Sequence, residues 1–282
     1  TSYTRGYSTS SYTAKSVATY LSGRYAATLY RAGWFFASYG KANTIFPEEL
    51  QQKGIKTLAW HAHMYFGRGK GLDQGFDTWE LVPGITFNPN TDEHITSDKM
   101  TELGQKILGN PDNTGKRFFA WAHYMDPHGE AFGENGAWKH AFDVWQVLVR
   151  VPLIVKIPGV KPRRIDIRRS LIDLPPTFLE LLGEKPLEQF QGQSLVPELR
   201  GAEPDNREPI AVELAEDSHN PPRRAVIQGD YKLTVWGQGS KYLLFNLKDD
   251  PGETMDLAKT DPTKLAEMMQ VFKTMFDKIG FV

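Results

Sequence analysis

Between Asp126 and His140 the chain reads DPHGEAFGENGAWKH. Two imidazoles and three carboxylates stand within fifteen positions, broken by three glycines. Imidazole and carboxylate are the side chains that move protons near neutral pH and that ligate divalent cations. Glycine lets the backbone between them bend tightly. Five of the seven histidines (His61, His63, His123, His128 and His140) fall near the ends of expected strands. A single histidine is more often structural than catalytic. Five gathered at strand ends point to a site, because open α/β sheets bind ligands outside the carboxyl ends of their strands. His94 and His219 fall in polar loops and are taken as surface or structural residues.

A second chemical pattern is STSSYTAKS (8–16). Hydroxyls that lead into a helix meet free N–H groups and a partial positive charge, which suit phosphate or sulfate. A hydroxyl there attacks an ester once a base or a cation activates it. The pattern alone is weak, since Ser and Thr also cap helices.

These residues need elements to hold them. IKTLAW (55–60), RFFAWAHYM (117–125) and VPLIVKIPG (151–159) read as apolar strands. The residues after Ser11 read as a loop feeding a helix that stops near Gly23. FPEELQQKG (46–54), MTELGQKILG (100–109) and the run after Pro175 and Pro176 to Gly183 read as helices with glycine stops. Strands alternating with helices predict an α/β domain with a largely parallel central sheet flanked by helices, over residues 1–203. From 204 to 282 the pattern changes. Alternating strands with turns at Gly229-Asp230 and Gly237 to Gly239 precede a helix opened by Asp261 and Pro262. This predicts a small antiparallel sheet plus helix domain.

Hydrophobic residues make up 40% and charged residues 24%, which excludes a disordered chain. The net charge of −1 gives no basic footprint, so no nucleic-acid partner is expected. No apolar run is long enough for a membrane span. With no cysteine, thiolate metal sites and a cysteine nucleophile are excluded. The opening residues lack a basic segment followed by an apolar run, so no signal peptide is expected within the chain.

Several motifs in order resemble the sulfatase family of the alkaline phosphatase superfamily. LSGRY (21–25) resembles the end of its nucleophile helix, and KGLDQGFDTWE (70–80) its GFD segment. FFAWAHYMDPH (118–128) is similar to a strand ending in DPH, and GEAFGENGAWKH (129–140) to the tail of a D-H-G-E loop. LVRVPLIVKIPG, SLIDLPPTFLELLG and GQSLVPEL follow in family order. YKLTVW and LLFNLKDDPGETMDLA (243–258) resemble its C-terminal signature. The resemblance places the nucleophile nine positions before Ser22, at Thr13. The family's formylglycine forms from Cys or Ser, so none is expected at Thr13. A plain threonine resembles the phosphoethanolamine transferases instead. A second register makes Ser11 the nucleophile.

The resemblance implies Lys15, His63, His123, His128 and His140 as assisting residues, and a divalent metal (calcium, magnesium or zinc) with Thr13, Asp126 and His128 as its ligands. Pro127 stands where an acidic ligand is expected, and two site loops look joined at 126–129. On this view a strand with the family's acidic ligands and a segment near His128 are missing from the chain as written. The implied function is metal-dependent hydrolysis of a small sulfate or phosphate ester, on a glycan or lipid head group, in the periplasm or outside the cell. The alternatives are a phosphoethanolamine-transferase-like phosphotransferase or phosphodiesterase, and an inactive binding scaffold.

Overall fold

The expected alternation of strands and helices is present in the computed structural model, which describes residues 1–33, 37–63, 66–83, 97–124, 128–216 and 221–280. His94, Asp126, Pro127 and His219 lie outside the described residues. The chain divides into two compact units, Thr1–Leu29 with Pro127–Val282, and Tyr30–Asp126.

In the first unit, the strand Ser2–Tyr7 sits among partners far along the chain. It pairs antiparallel with Arg150–Ile154 and parallel with Arg164–Ile165 and Arg169–Ser170. Tyr3 and Tyr7 are buried, and Gly6 is required by space: a Cβ there would lie 2.7 Å from the Val151 carbonyl oxygen. SYTRGY carries no Asp or Glu. It also has no aliphatic residue, so nothing in its composition marks it as a strand. A buried arginine fixes its surroundings. Arg169 Nε donates to Glu198 Oε1 at 2.9 Å, and Tyr3 donates its hydroxyl to the same oxygen at 2.8 Å.

The strand leads through residues 8–12 into the helix Thr13–Ser22, all ten residues of which are buried. Ser8 and Ser16 tie loop to helix, each donating to the Ser10 carbonyl at 2.8 Å. The helix ends where the sequence predicts, at Gly23 with φ +67°. A side chain there would be strained and would also strike the Phe190 ring, 2.3 Å from an added Cβ.

Residues 210–246 form a four-stranded antiparallel sheet, Ile210–Leu214, Arg223–Gln228, Tyr231–Trp236 and Lys241–Asn246 in that order. The helix Pro262–Ile279 packs on it, burying Met268, Phe276 and Ile279 against Val226, Leu233 and Leu244. Asp261 caps that helix by accepting from the Lys264 amide at 2.9 Å. Both turns fall at the expected glycines, the first with Gly229 at φ +55°.

The second unit is built on a parallel three-stranded sheet, with Lys56–His61 between Thr78–Leu81 and Phe118–His123. The helices Phe46–Gln52 and Ser97–Leu108 flank it. Leu58, Trp60, Met100 and Ile107 form its core. Parallel strands covered by helices, with a separate small antiparallel sheet, are the α/β class the sequence predicts. No described helix is long and apolar enough to cross a membrane.

Candidate active site

Thr13 is the first residue of its helix and is 1% exposed. Its Oγ1 lies 3.0 Å from Nε2 of His128, itself buried. The other ring nitrogen of His128, Nδ1, lies 3.0 Å from the Gly129 carbonyl oxygen. A carbonyl only accepts, so Nδ1 carries a proton. In the neutral imidazole that leaves Nε2 as the acceptor for the Thr13 hydroxyl. A hydroxyl, a base and a group that fixes the base's tautomer are the three parts of an activated oxygen nucleophile.

Gly129 keeps this arrangement in place. Its amide donates to the Leu148 carbonyl at 2.7 Å, and a Cβ on it would lie 1.8 Å from the Val147 carbonyl oxygen. Backbone cannot yield as a flexible side chain does. Gly129→Ala is therefore expected to cost about 1–3 kcal/mol of stability and to displace the His128 ring. A urea titration together with a single-turnover rate checks both effects.

A short hairpin brings His140 to the same place. Ala131 pairs with Lys139 and Phe132 with Trp138, so residues 130 and 140 are the next rung of the ladder. His140 Nδ1 lies 2.6 Å from Glu130 Oε2. The hairpin turn uses Gly133 and Gly136 at φ +122° and +71°. Lys139 and Ala141, on either side of His140, also hold positive φ, at +66° and +70°. Non-glycine residues take this conformation at a cost and keep it when surrounding contacts demand it. Here the Ala141 amide donates to the Ser11 carbonyl at 2.9 Å, which ties His140 to the loop before Thr13. The His128 and His140 rings are 4.6 Å apart.

Ligand atoms of His128, Glu130 and His140 all lie within 4.8 Å of one another, so the three could hold a metal ion. The expected ligand set differs: it names Thr13, Asp126 and His128, and Asp126 falls outside the described residues. Glu130 is not a member of that expected set. Its signal was present, because a glycine-turned hairpin between two site histidines must set some residue opposite the second one.

The remaining candidates are placed as follows. Lys15 is buried and donates Nζ to the Ala215 carbonyl at 2.7 Å. Its ammonium also lies 5.3 Å from the Tyr12 ring centroid. Ser11 Oγ is buried with no hydrogen-bond partner among the described residues, as are Thr9 Oγ1 and Ser10 Oγ. His63 and His123 belong to the second unit, where register sets His61 opposite His123 at the strand ends. Their rings are 6.0 Å apart, with Phe66 beside both. His61 packs on Trp79 at 5.0 Å, and burial holds its imidazole down at about 4, as suits a neutral core histidine.

Comparison with known proteins follows the same lines. A solved structure of a 2-O GAG sulfatase superposes with a TM-score of 0.81 over 99% of this chain and 84% of its own, at 15% identity, so the two share a fold. The family model described as Sulfatase matches residues 1–135. The one described as N-sulphoglucosamine sulphohydrolase, C-terminal, matches residues 133–279. The chain belongs to the sulfatase family. It is 31% identical over 139 residues to a choline-sulfatase of Rhizobium meliloti, covering 48% of this chain and 26% of that protein. It is 28% identical over 160 residues to a delta 4,5-hexuronate-2-O-sulfatase of Bacteroides thetaiotaomicron, covering 54% and 33%. The chain thus spans about a quarter to a third of these two relatives.

Proposed function

We propose that the protein hydrolyses sulfate esters, with Thr13 as nucleophile and His128 as its base. The observation that carries this is the 3.0 Å contact between Thr13 Oγ1 and His128 Nε2. Thr13 Oγ attacks the ester sulfur while its proton passes to His128 Nε2. The bond from sulfur to the ester oxygen breaks, and the leaving oxygen takes that proton from His128. This leaves a sulfated threonine and the free alcohol. Water then attacks the sulfur, His128 takes a proton from it, and that proton returns to Thr13 Oγ as sulfate leaves. The unpartnered hydroxyls of Thr9, Ser10 and Ser11 are donors in the loop before Thr13 that an ester's charged oxygens would satisfy.

Two imidazoles and a carboxylate suit a zinc-type cation better than calcium or magnesium, which take mostly oxygen ligands. A divalent cation held by His128, Glu130 and His140 would take the Nε2 lone pair from Thr13 and would then supply the positive charge that activates the hydroxyl in place of the base. His128 Nε2 has one lone pair, so it serves Thr13 or a cation, never both together. Small sulfated molecules or sulfated sugars, met in the periplasm or outside the cell, are the substrates this reading takes from the family.

A second reading, phosphoryl hydrolysis or transfer, is favoured by the plain threonine. Thr13 offers one hydroxyl, so the covalent group leaves only by attack at its central atom, a reaction to which phosphorus is also suited. Turnover of p-nitrophenyl sulfate, p-nitrophenyl phosphate and a phosphodiester, each from pH 5 to 9 with and without Zn2+, tests both readings. Sulfate turnover that exceeds turnover of either phosphate ester is the expected result. Preference for the phosphate esters favours the second reading. No turnover of any ester under any condition leaves a binding scaffold and sinks both.

A further inference from the structure

Away from the Thr13 site, the first unit holds a small cavity of about 130 Å³. Arg5, Gln146, Arg150, Arg168, Asp230 and Lys248 line it. None of these is a residue of the proposed catalytic set. Two donors there have no acceptor. Arg168 is 5% exposed and its Nε has no hydrogen-bond partner among the described residues. Gln146 is 8% exposed, and its Nε2 is likewise without a partner. The Gln146 amide is oriented by Tyr7, which donates its hydroxyl to Oε1 at 3.2 Å, so the Nε2 side is the one left over. Buried donors left unpaired cost free energy, and such donors are usually met by an acceptor, an ion or ordered water.

The charges name the missing acceptor. Arg5, Arg150, Arg168 and Lys248 bring four positive charges. Asp230 brings one negative charge, and Glu208, paired with Arg168, brings another. The balance is +2. The volume admits one tetrahedral group. We propose that this cavity binds a tetrahedral dianionic oxyanion, a sulfate or phosphate group. Planar guanidinium forks suit such oxygens. The group could reach the cavity as a free ion or as an ester carried on a sugar whose ring stays outside. This inference does not depend on the function proposed for Thr13.

Sodium selenate is a tetrahedral dianion that scatters anomalously, so crystals soaked in it show where it binds. The expected result is a selenium peak in the cavity between Arg150 and Arg168. Calorimetric titration with selenate at constant ionic strength gives the affinity, measured in a Thr13→Val background to reduce binding at the catalytic site. Arg150 and Lys248 are exposed, so Arg150→Gln with Lys248→Gln should fold normally and raise the selenate Kd tenfold or more. Gln146→Leu, which removes one orphan donor without touching a charge, should weaken binding as well. Titration with a monosulfated hexosamine separates the sources. Tighter binding than selenate identifies an ester-borne group, and selenate binding without sugar binding identifies a free ion; both support the site. No selenium peak in the cavity, or a Kd unchanged by the double substitution, overturns it.

Discussion

Thr13→Val is expected to reduce ester hydrolysis by about a thousandfold or more while leaving the fold intact. Valine keeps the shape and the β-branch but carries no nucleophile and no proton for His128. Thr13→Ser should retain measurable turnover, because the oxygen stays on the same helix position. His128→Gln should fall nearly as far as Thr13→Val. The double variant should fall no further, since a nucleophile and its base act as one unit. Circular dichroism before the assay shows whether each variant is folded. If Thr13→Val kept most of its activity while Ser11→Ala lost it, the nucleophile would move to Ser11.

The largest stability effect should come from Arg169→Leu. Arg169 and Glu198 are 0% and 2% exposed as side chains and form a two-pronged pair. Removing the guanidinium leaves a buried carboxylate that, among the described residues, only Tyr3 still serves. Such a loss costs about 3–5 kcal/mol, which urea denaturation would show as a large drop in midpoint. Arg169→Leu with Glu198→Leu should recover most of it, because the unpaired charge is then gone. Tyr3 lies on the 2–7 strand that feeds the Thr13 helix, so Arg169→Leu should also lower turnover. A stable single variant would mean that water reaches Glu198.

How much of this was legible depended on the physical kind of signal. Gly23, Asp261 with Pro262, and Gly229-Asp230 act within one turn of backbone, so the sequence alone located the helix stop, the helix start and the hairpin. The strands at 56–61 and 118–123 were visible because they are apolar, the first mostly buried and the second half-buried. The 2–7 strand was not. Its hydrogen bonds go to residues about 150 positions away, and its buried side chains are tyrosines with polar tips. The site divides in the same way. Thr13 and the two histidines stood out by type and spacing. Glu130 did not, because its meeting with His140 depends on a register set by positive-φ residues at 133, 135 and 136. The cavity beside Arg168 draws residues from five stretches of chain, and no local pattern could assemble it.

The division of the chain has a consequence for how it folds. Tyr30–Asp126 is one continuous excursion, and among the described residues its sheet pairs only with itself. It can therefore form while the rest of the chain is still unstructured. The 2–7 strand must wait for 150–154 and 164–170, with the whole excursion as the loop to be closed. Loop-closure entropy grows only slowly with length, by about 0.6 kcal/mol per doubling, and an excursion that has already folded is a shorter tether than a random coil of the same residues. Folding of the first unit should thus be the slow step, limited by non-local pairing. Until that pairing forms, Thr13 and His128 are 115 residues apart along the chain and meet only by chance. Catalytic competence would then appear in the last kinetic phase of refolding, after most of the secondary structure is in place.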